Sequence, residues 1–335
     1  MRPDLHVHPW HDTRHHAADG GFQNLNSTAR AASFVKAASW FASQALETKD
    51  NVPPPIHPIR ADALHPPPEA LRITWLGHAS LLAQWPDRTV LTDPMLSRRA
   101  SPLSFAGPER LADCPIRVRD LPPIDVVLLS HDHYDHLDRP TVEALRDHSD
   151  PLFLTPLGVA DHLRRWGLGR AVAADWWQYA EVDGWRFHCT PAQHFSGRGL
   201  FDRNTTLWAS WYVEPVSHPA APRFFFGGDS AYANHFAAVR EHLGTPDVAA
   251  LPIGAVQPRW LMGPVHMSPK EAAQAFRDLG ARHFIPIHWG TFDLAGEPVQ
   301  WPAEQIRDHA RTSGFTDRLH VLDIGESVEP CPVPD

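Results

Sequence analysis

The chain has 335 residues, a formal net charge of −9 and a hydrophobic fraction of 43%. This length is enough for one large domain or two small ones, and the acidic balance argues against nucleic-acid binding, which usually needs a basic surface. Three widely spaced cysteines form no disulfide framework, and the sequence shows neither a secretory signal nor a run of ~18 apolar residues. We therefore expect a soluble, cytoplasmic protein.

Proline clusters separate an N-terminal arm, residues 1–70, from the main domain, residues 71–335. The arm begins with a His-rich stretch that no strand precedes, and we interpret this stretch as a solvated or disordered tail. Its histidines are His6, His8, His11, His15 and His16. An Ala-rich run with aromatic residues over 28–46 follows a plausible N-cap and predicts one helix. This helix is expected to pack against the main domain, with a lid or a membrane-facing element as the alternative.

From residue 71 onward, short apolar runs bounded by turns predict strands. These strands cover residues 72–76, 80–83, 89–92, 125–129, 185–190, 207–213, 223–226, 248–253 and 283–287. A helix is predicted over 140–147, and another begins at Ser268 with a capping-box pattern and ends near Gly280. Runs of strands with helices between and after them predict an α+β fold with four layers in the order αββα.

One motif follows the apolar run 126–129, where a buried strand should open into a loop. It reads His131-Asp132-His133-Tyr134-Asp135-His136, or His-x-His-x-Asp-His. A loop at a strand end can turn these side chains towards one point, and borderline divalent metals accept imidazole nitrogen together with carboxylate oxygen. Four potential ligands, with further His and Asp downstream, exceed what one tetrahedral ion needs. The motif therefore predicts two ions, an arrangement that activates water.

Three more residues of the same types follow predicted strands. His194 follows the strand 185–190, Asp229 follows 223–226 through two glycines, and His288 follows 283–287. A single His or Asp at a strand end is usually a capping or core-edge residue. Three of them, in a chain that already carries the motif at 131–136, complete a set of seven potential ligands.

The order of these seven residues resembles the metallo-β-lactamase superfamily. The flanking sequence is similar to the N-acyl-phosphatidylethanolamine-hydrolysing phospholipase D family, notably Thr-Trp-Leu-Gly-His-Ala at 74–79 and Phe-Phe-Phe-Gly-Gly-Asp at 224–229. Further matching stretches lie at 91–94, 121–125, 130–137, 175–177 and 287–292. The resemblance covers roughly residues 70–295 and leaves the arm unmatched. It implies a metallo-β-lactamase-like sandwich.

The resemblance also implies a role for each potential ligand. One zinc ion would be held by His131, His133 and His194. The second would be held by Asp135, His136 and His288, with Asp229 bridging the two. Iron or manganese could replace zinc, and a hydroxide between the ions would be the nucleophile. Asp132 and Asp93 would orient imidazole ligands from outside, and His78 would either do the same or be a satisfied core histidine.

Two residues near the predicted helix at 268 complete the candidate site. His266 matches a family histidine close to the metals and would bind the phosphate or protonate the leaving group, while the alternative is an ordinary turn residue before a helix. Arg259, beside Trp260, would line the substrate channel.

The function implied is that of a binuclear zinc phosphodiesterase that releases phosphatidic acid from N-acyl phosphatidylethanolamine. Its partners would be a phospholipid or another small phosphodiester and, as an open alternative, a membrane surface touched peripherally. Nucleic acid is not expected, and the sequence carries no signal for an oligomeric state. A lactone or carboxylic-ester hydrolase and a soluble phosphodiesterase remain alternatives on the same metals. A non-catalytic metal-binding protein is disfavoured because all seven potential ligands are present.

Overall fold

The computed structural model describes residues 3–25, 36, 39–40, 43, 48–65 and 67–330. Its strands are β1 (Leu5–Val7), β2 (Arg72–Gly77), β3 (Ser80–Gln84), β4 (Thr89–Thr92), β5 (Val126–Leu128), β6 (Leu152–Pro156), β7 (Ala171–Ala174), β8 (Gln178–Val182), β9 (Trp185–Thr190), β10 (Ser210–Pro215), β11 (Phe224–Phe226), β12 (Val248–Pro252), β13 (His283–Ile287) and β14 (Ser327–Val328). The α-helices with assigned bounds are α1 (Ala61–Leu64), α2 (Arg139–Ser149), α3 (Val159–Arg165), α4 (His235–Leu243), α5 (Arg259–Met262), α6 (Pro269–Leu279) and α7 (Trp301–Ser313).

The strands form two seven-stranded mixed sheets. One has the order β14-β2-β3-β4-β5-β6-β7 and the other has the order β1-β8-β9-β10-β11-β12-β13. Alternate side chains of a strand point to opposite faces. Accordingly, Val126 and Leu128 of β5 join the large core that includes both sheets, whereas Val127 packs in a second cluster with Leu145 of α2 and Leu163 of α3. The predicted α+β, four-layer αββα architecture is confirmed.

The topology brings several strand ends to one edge of the sandwich. Strands β4 to β7 run parallel to one another, and so do β11 to β13. Strand β9 lies antiparallel to β10, which is antiparallel to β11, so β9 and β11 share a direction. The loops after β4, β5, β9, β11 and β13 carry the predicted metal-site residues, as is usual for sites at the carboxyl ends of parallel strands.

The predicted helix start at Ser268 is confirmed. The Ser268 hydroxyl accepts a hydrogen bond from the Glu271 amide, the Glu271 carboxylate accepts one from the Ser268 amide, and Gly280 ends the helix in the left-handed conformation. Strands β6, β7 and β8 and helices α3, α4 and α7 were not predicted from the sequence. The helix predicted over 28–46 lies outside the described residues, apart from positions 36, 39, 40 and 43. Among the described residues, no helix has the length and apolar character needed to cross a bilayer.

The interpretation of the His-rich stretch as a solvated tail is wrong. Strand β1 pairs with β8 and extends the second sheet. The His8 and His188 rings lie 2.9 Å apart at their closest nitrogens, and the His15 ring is buried and stacks on Trp176. Tertiary contacts to distant residues, which no local pattern reveals, order this segment.

Candidate metal centre

A loop of one sheet lies in close contact with a loop of the other sheet at Gly228 and Ser130. Gly228, just before Asp229, has φ +54°, and a Cβ added there would lie 2.4 Å from the Cβ of Ser130, just before His131. Only glycine fits this position without a shift of the neighbouring chain. The glycine therefore allows the loop after β11 to meet the loop after β5.

The first group of candidate ligands, here called the first triad, consists of His131, His133 and His194. His131 Nε2 lies 2.8 Å from His133 Nδ1, and His194 Nε2 lies 3.3 Å from the same Nδ1. A tetrahedral zinc ion with bonds of about 2.0–2.1 Å holds its ligand nitrogens roughly 3.3 Å apart. His131 and His194 are buried, and burial lowers their pKa well below the usual value, so both rings present neutral lone pairs.

The second triad consists of Asp135, His136 and His288. Asp135 Oδ2 lies 3.6 Å from His136 Nε2 and 3.5 Å from His288 Nε2. Asp229 lies between the two triads. Its Oδ2 atom is 3.0 Å from His288 Nε2, 3.2 Å from His136 Nε2 and 3.7 Å from His194 Nε2. All seven side chains predicted as ligands therefore meet in one cluster.

Several buried polar atoms of this cluster lack a hydrogen bond of acceptable geometry. They are His136 Nε2, both ring nitrogens of His288, Asp229 Oδ1 and His266 Nδ1. Orphaned buried donors and acceptors are rare and costly in native proteins. Two of them, His136 Nε2 and His288 Nε2, lie 3.2 Å and 3.0 Å from Asp229 Oδ2, and imidazole nitrogen with carboxylate oxygen is the donor set of borderline divalent ions. The residues present thus fit a metal centre.

Without cations, the carboxylates and imidazoles of the second triad act on one another. Burial alone would lower the pKa of His136, but the Asp229 carboxylate, followed by Asp135 and Asp93, raises it well above the usual value. Burial would likewise raise the pKa of Asp229, but His288 and His136 hold it well below its usual range. This side of the cluster therefore attracts positive charge, which a divalent ion would supply.

Asp93, which follows β4, contacts His136 of the second triad directly and His131 of the first triad through Ser130. Its Oδ2 lies 2.6 Å from His136 Nδ1, and it also accepts hydrogen bonds from the amide and hydroxyl of Ser130. The Ser130 hydroxyl in turn lies 2.8 Å from His131 Nδ1. One buried carboxylate thus sets the ring orientation of one ligand in each triad.

Asp132 has different partners from those expected. Its carboxylate accepts hydrogen bonds from the Gly197 amide at 2.8 Å and the Thr206 hydroxyl at 2.9 Å, and it lies 3.3 Å from His162 Nε2. The contacts to Gly197 and Thr206 join the loop that bears the motif 131–136, here called the metal loop, to the loop 196–206, and the contact to His162 joins it to α3. Among the described residues, none of these contacts reaches an imidazole of the triads. Asp132 therefore positions the loop and not an individual ligand ring.

Sequence reasoning missed the residues that hold His194. The Asn24 side chain donates to the His194 carbonyl at 2.8 Å and accepts from the His194 amide at 3.1 Å, while His194 Nδ1 lies 2.9 Å from the Val265 carbonyl. Arg198 was also missed: it donates to the Asp132 carbonyl at 2.6 Å and supports the metal loop. No local signal marks Asn24, because it lies 170 residues from its partner.

His266 and Arg259 lie beside the cluster. His266 Nδ1 is 3.8 Å from Asp229 Oδ2, and burial lowers the His266 pKa to about 4. Arg259 donates to the His266 carbonyl at 3.2 Å and to Glu271 at 2.8 Å, so it ties the turn that bears His266 to the start of α6. His78 Nε2 lies 2.9 Å from Asp135 Oδ2, and His78 offers a ligand atom within 4.8 Å of those of all three residues of the second triad.

Residues 88–289 match the family described as the beta-lactamase superfamily domain. The chain belongs to the metallo-β-lactamase superfamily. It is 45% identical over 265 residues to an uncharacterised protein, Rv0906, of Mycobacterium tuberculosis, covering 78% of this chain and 69% of that one. It is 37% identical over 289 residues to N-acyl-phosphatidylethanolamine-hydrolyzing phospholipase D 1 of Caenorhabditis elegans, covering 81% of this chain and 79% of that one.

Among solved structures, the metallo-β-lactamase fold protein YhfI of Bacillus subtilis superposes with a TM-score of 0.52 at 16% identity, covering 78% of this chain and 99% of that one. This likeness shows the fold alone. The homologues of this chain include a phospholipase D, and this member of the metallo-β-lactamase superfamily is a metal-dependent hydrolase.

Proposed function

We propose that the protein is a binuclear zinc phosphodiesterase of the phospholipase D type, which releases phosphatidic acid from N-acyl phosphatidylethanolamine. The observation that carries this proposal is the position of Asp229 Oδ2, 3.0 Å from His288 Nε2 and 3.7 Å from His194 Nε2. A carboxylate shared by two ligand triads suits a pair of cations about 3.5–4 Å apart. We infer the lipid substrate from the homology to the nematode phospholipase D.

Two divalent cations at the triads would lower the pKa of an attacking water and neutralise charge on the phosphoryl oxygens. The chain's own residues provide the orientation. Asp93 fixes His136, Asn24 and the Val265 carbonyl fix His194, and these contacts pre-organise the site. His266 is neutral at pH 7 because its pKa is about 4, so it can donate one hydrogen bond to a phosphoryl or leaving-group oxygen.

Peripheral membrane contact is part of the proposal, and exposed apolar residues near the metal loop support it. A cleft of about 540 Å³ is lined by Leu103, by Tyr134 of the metal loop and by Arg198. Leu200 and Phe201 follow Arg198 in the same loop and are 88% and 95% exposed. Fully exposed neighbouring apolar side chains are unusual on a soluble surface and are favourable where they can enter a bilayer interface.

The cleft also carries positive charge suited to a phosphate. Its lining includes Arg98, Arg99, Arg139 and Arg198. Arg98 and Arg99 pair with a single carboxylate, Glu109, so their two positive charges are only half neutralised. Guanidinium groups bind phosphate oxygens in pairs of hydrogen bonds. An anionic phospholipid surface would therefore complement this side of the molecule.

Metal content and substrate range test the proposal together. Protein purified without chelator should contain two zinc ions per chain and release phosphatidic acid from N-acyl phosphatidylethanolamine in mixed micelles. Hydrolysis of bis(p-nitrophenyl) phosphate without any lipid hydrolysis would overturn the lipid assignment. Turnover of lactones without phosphodiesterase activity would overturn the assignment as a phosphodiesterase. Iron or manganese at full occupancy would overturn the assignment of zinc as the metal.

The membrane contact has its own test. The double variant Leu200→Ser/Phe201→Ser should lose most of its activity on vesicles that contain the lipid and keep its activity on bis(p-nitrophenyl) phosphate. Val52→Ser, at a residue that is 55% exposed and does not line the cleft, serves as the matched control. Equal vesicle activity of the double variant and the wild type would show that these side chains do not reach the lipid.

A further inference from the structure

Three histidines of the N-terminal segment converge on one carboxylate outside the candidate metal centre. Their Nε2 atoms all lie close to the side chain of Asp175, which follows β7. His15 Nε2 is 2.6 Å from Oδ1, while His16 Nε2 and His11 Nε2 are 2.8 Å and 3.2 Å from Oδ2. These separations are similar to those within the candidate metal centre, where His131 Nε2 and His133 Nδ1 are 2.8 Å apart.

The surroundings hold this cluster in place. The Trp176 amide donates to Asp175 Oδ1 at 2.8 Å, and the Asp175 amide donates to the Gln178 side chain at 2.9 Å. The His15 ring stacks on the Trp176 indole with centroids 4.2 Å apart. Asp175 and His15 are buried, whereas the His16 side chain is 39% exposed. The cluster is thus rigid on its inner side and open to solvent on its outer side.

We propose that His11, His15, His16 and Asp175 bind a divalent transition-metal ion at a site separate from the candidate metal centre. Three imidazole nitrogens and one carboxylate oxygen form a complete tetrahedral donor set for zinc. Ligand atoms on such an ion are roughly 3.3 Å apart. Ligand atoms of His15, His16 and Asp175 already lie within 4.8 Å of one another, and His11, whose Nε2 is 3.2 Å from Asp175 Oδ2, has to move towards them as the fourth ligand. The exposed edge at His16 gives the ion a path from solvent.

Without an ion, the same four side chains can form hydrogen bonds with one another. If every histidine carries its proton on Nε2, Asp175 accepts three imidazole N–H groups and the Trp176 amide. Burial raises the pKa of Asp175, but these partners, with His15 first among them, bring it down to about 2. Uptake of an ion requires each Nε2 proton to leave for Nδ1 or for solvent, so the ion has to replace these hydrogen bonds to Asp175.

The proposed ion would fasten the N-terminal segment to the edge of the second sheet. The segment continues from His16, which is bridged to Phe22, to Asn24, which holds both backbone groups of His194. The cluster therefore anchors the stretch of chain that supports a ligand of the candidate metal centre. This site is independent of the proposed function, since it touches neither triad.

The variant His16→Gln separates metal binding from hydrogen bonding. A glutamine amide can donate to Asp175 in place of the imidazole, but it is a poor zinc ligand. Untagged wild-type protein, freed of metal and then equilibrated with zinc, should bind one more ion per chain than His16→Gln. Zinc should also raise the Tm of the wild type more than that of the variant. His57→Ala, in which a lone exposed histidine beside Asp323 is removed, should match the wild type.

A second measurement keeps the result independent of the candidate metal centre. In the double variant His131→Ala/His136→Ala, which removes one ligand from each triad, one zinc ion should remain, and adding His16→Gln should abolish it. Cobalt substitution of the double variant should give the visible absorption of a tetrahedral site. The proposal is overturned if His16→Gln binds as many ions as the wild type, or if the double variant binds none.

Discussion

Asp93→Asn should lower zinc affinity because it disturbs the protonation of a ligand ring. Asp93 Oδ2 lies 2.6 Å from His136 Nδ1 and favours the tautomer with its proton on Nδ1, which leaves the Nε2 lone pair for a metal. An asparagine that keeps its oxygen towards the Ser130 amide turns its NH2 group to the imidazole. That NH2 group would favour the proton on Nε2 and remove the lone pair.

The magnitude follows from the contacts that are lost. Hydrogen bonds to charged groups contribute about 1.5–3 kcal/mol. Loss of a partner that orients a metal ligand typically lowers affinity by about 10–100-fold, or roughly 1.4–2.7 kcal/mol. Competition with a chelator should therefore show zinc affinity reduced by at least about tenfold, and catalytic activity at limiting zinc should fall in parallel.

Asp138→Asn provides the matched control. Asp138 is also buried, and its carboxylate accepts hydrogen bonds from the side chains of Ser97 and Thr141 instead of an imidazole ligand. This variant should lower the Tm while leaving zinc affinity unchanged. Equal zinc affinities of Asp93→Asn and the wild type would refute the argument that Asp93 sets the tautomer of the ligand.

Three further substitutions test the bridging role of Asp229, the close contact at Gly228 and the support of His194 by Asn24. Asp229→Asn should abolish hydrolysis with the fold retained, measured by turnover and circular dichroism, and wild-type turnover would exclude a bridging role. Gly228→Ala should cost at least about 1–3 kcal/mol because it adds a Cβ at positive φ against Ser130; Gly314→Ala, also at positive φ but in open space, should cost less in chemical denaturation. Asn24→Ala should reduce zinc affinity, since it frees the backbone of a candidate ligand, and unchanged chelator competition would show that this support is dispensable.

The metal loop and the strand-end residues could be predicted from the sequence because their signals are local. An apolar run followed by His-x-His-x-Asp-His fixes both the strand and the loop in adjacent residues. The capping box at Ser268 and Glu271 is local in the same way, since both residues lie within one helical turn. The strands β6 to β8 escaped prediction because their short apolar and mixed runs become strands only by pairing with neighbours in the sheets.

Contacts that support the candidate ligands join residues far apart in the sequence, so Asp93 was expected only from the family resemblance and Asn24 was not predicted at all. Asp93 reaches His136 across 43 residues, and Asn24 reaches His194 across 170. Asp132 has the same residue type as Asp93 and lies inside the motif, yet it contacts the loop 196–206. Which carboxylate serves a ligand depends on the path of the chain around it, and residue type alone does not reveal that path.

The sequence by itself predicted the types and order of the candidate ligands and the four-layer fold, because hydrophobic periodicity and donor chemistry are properties of short segments. Only the tertiary structure showed that Asn24 holds His194 and where the N-terminal histidines lie. A run such as His11, His15 and His16 is compatible with a solvated tail until a buried carboxylate, 159 or more residues away, is brought beside it. Contacts between residues so far apart in the sequence arise from packing of the whole chain. For that reason only the folded structure reveals the cluster around Asp175.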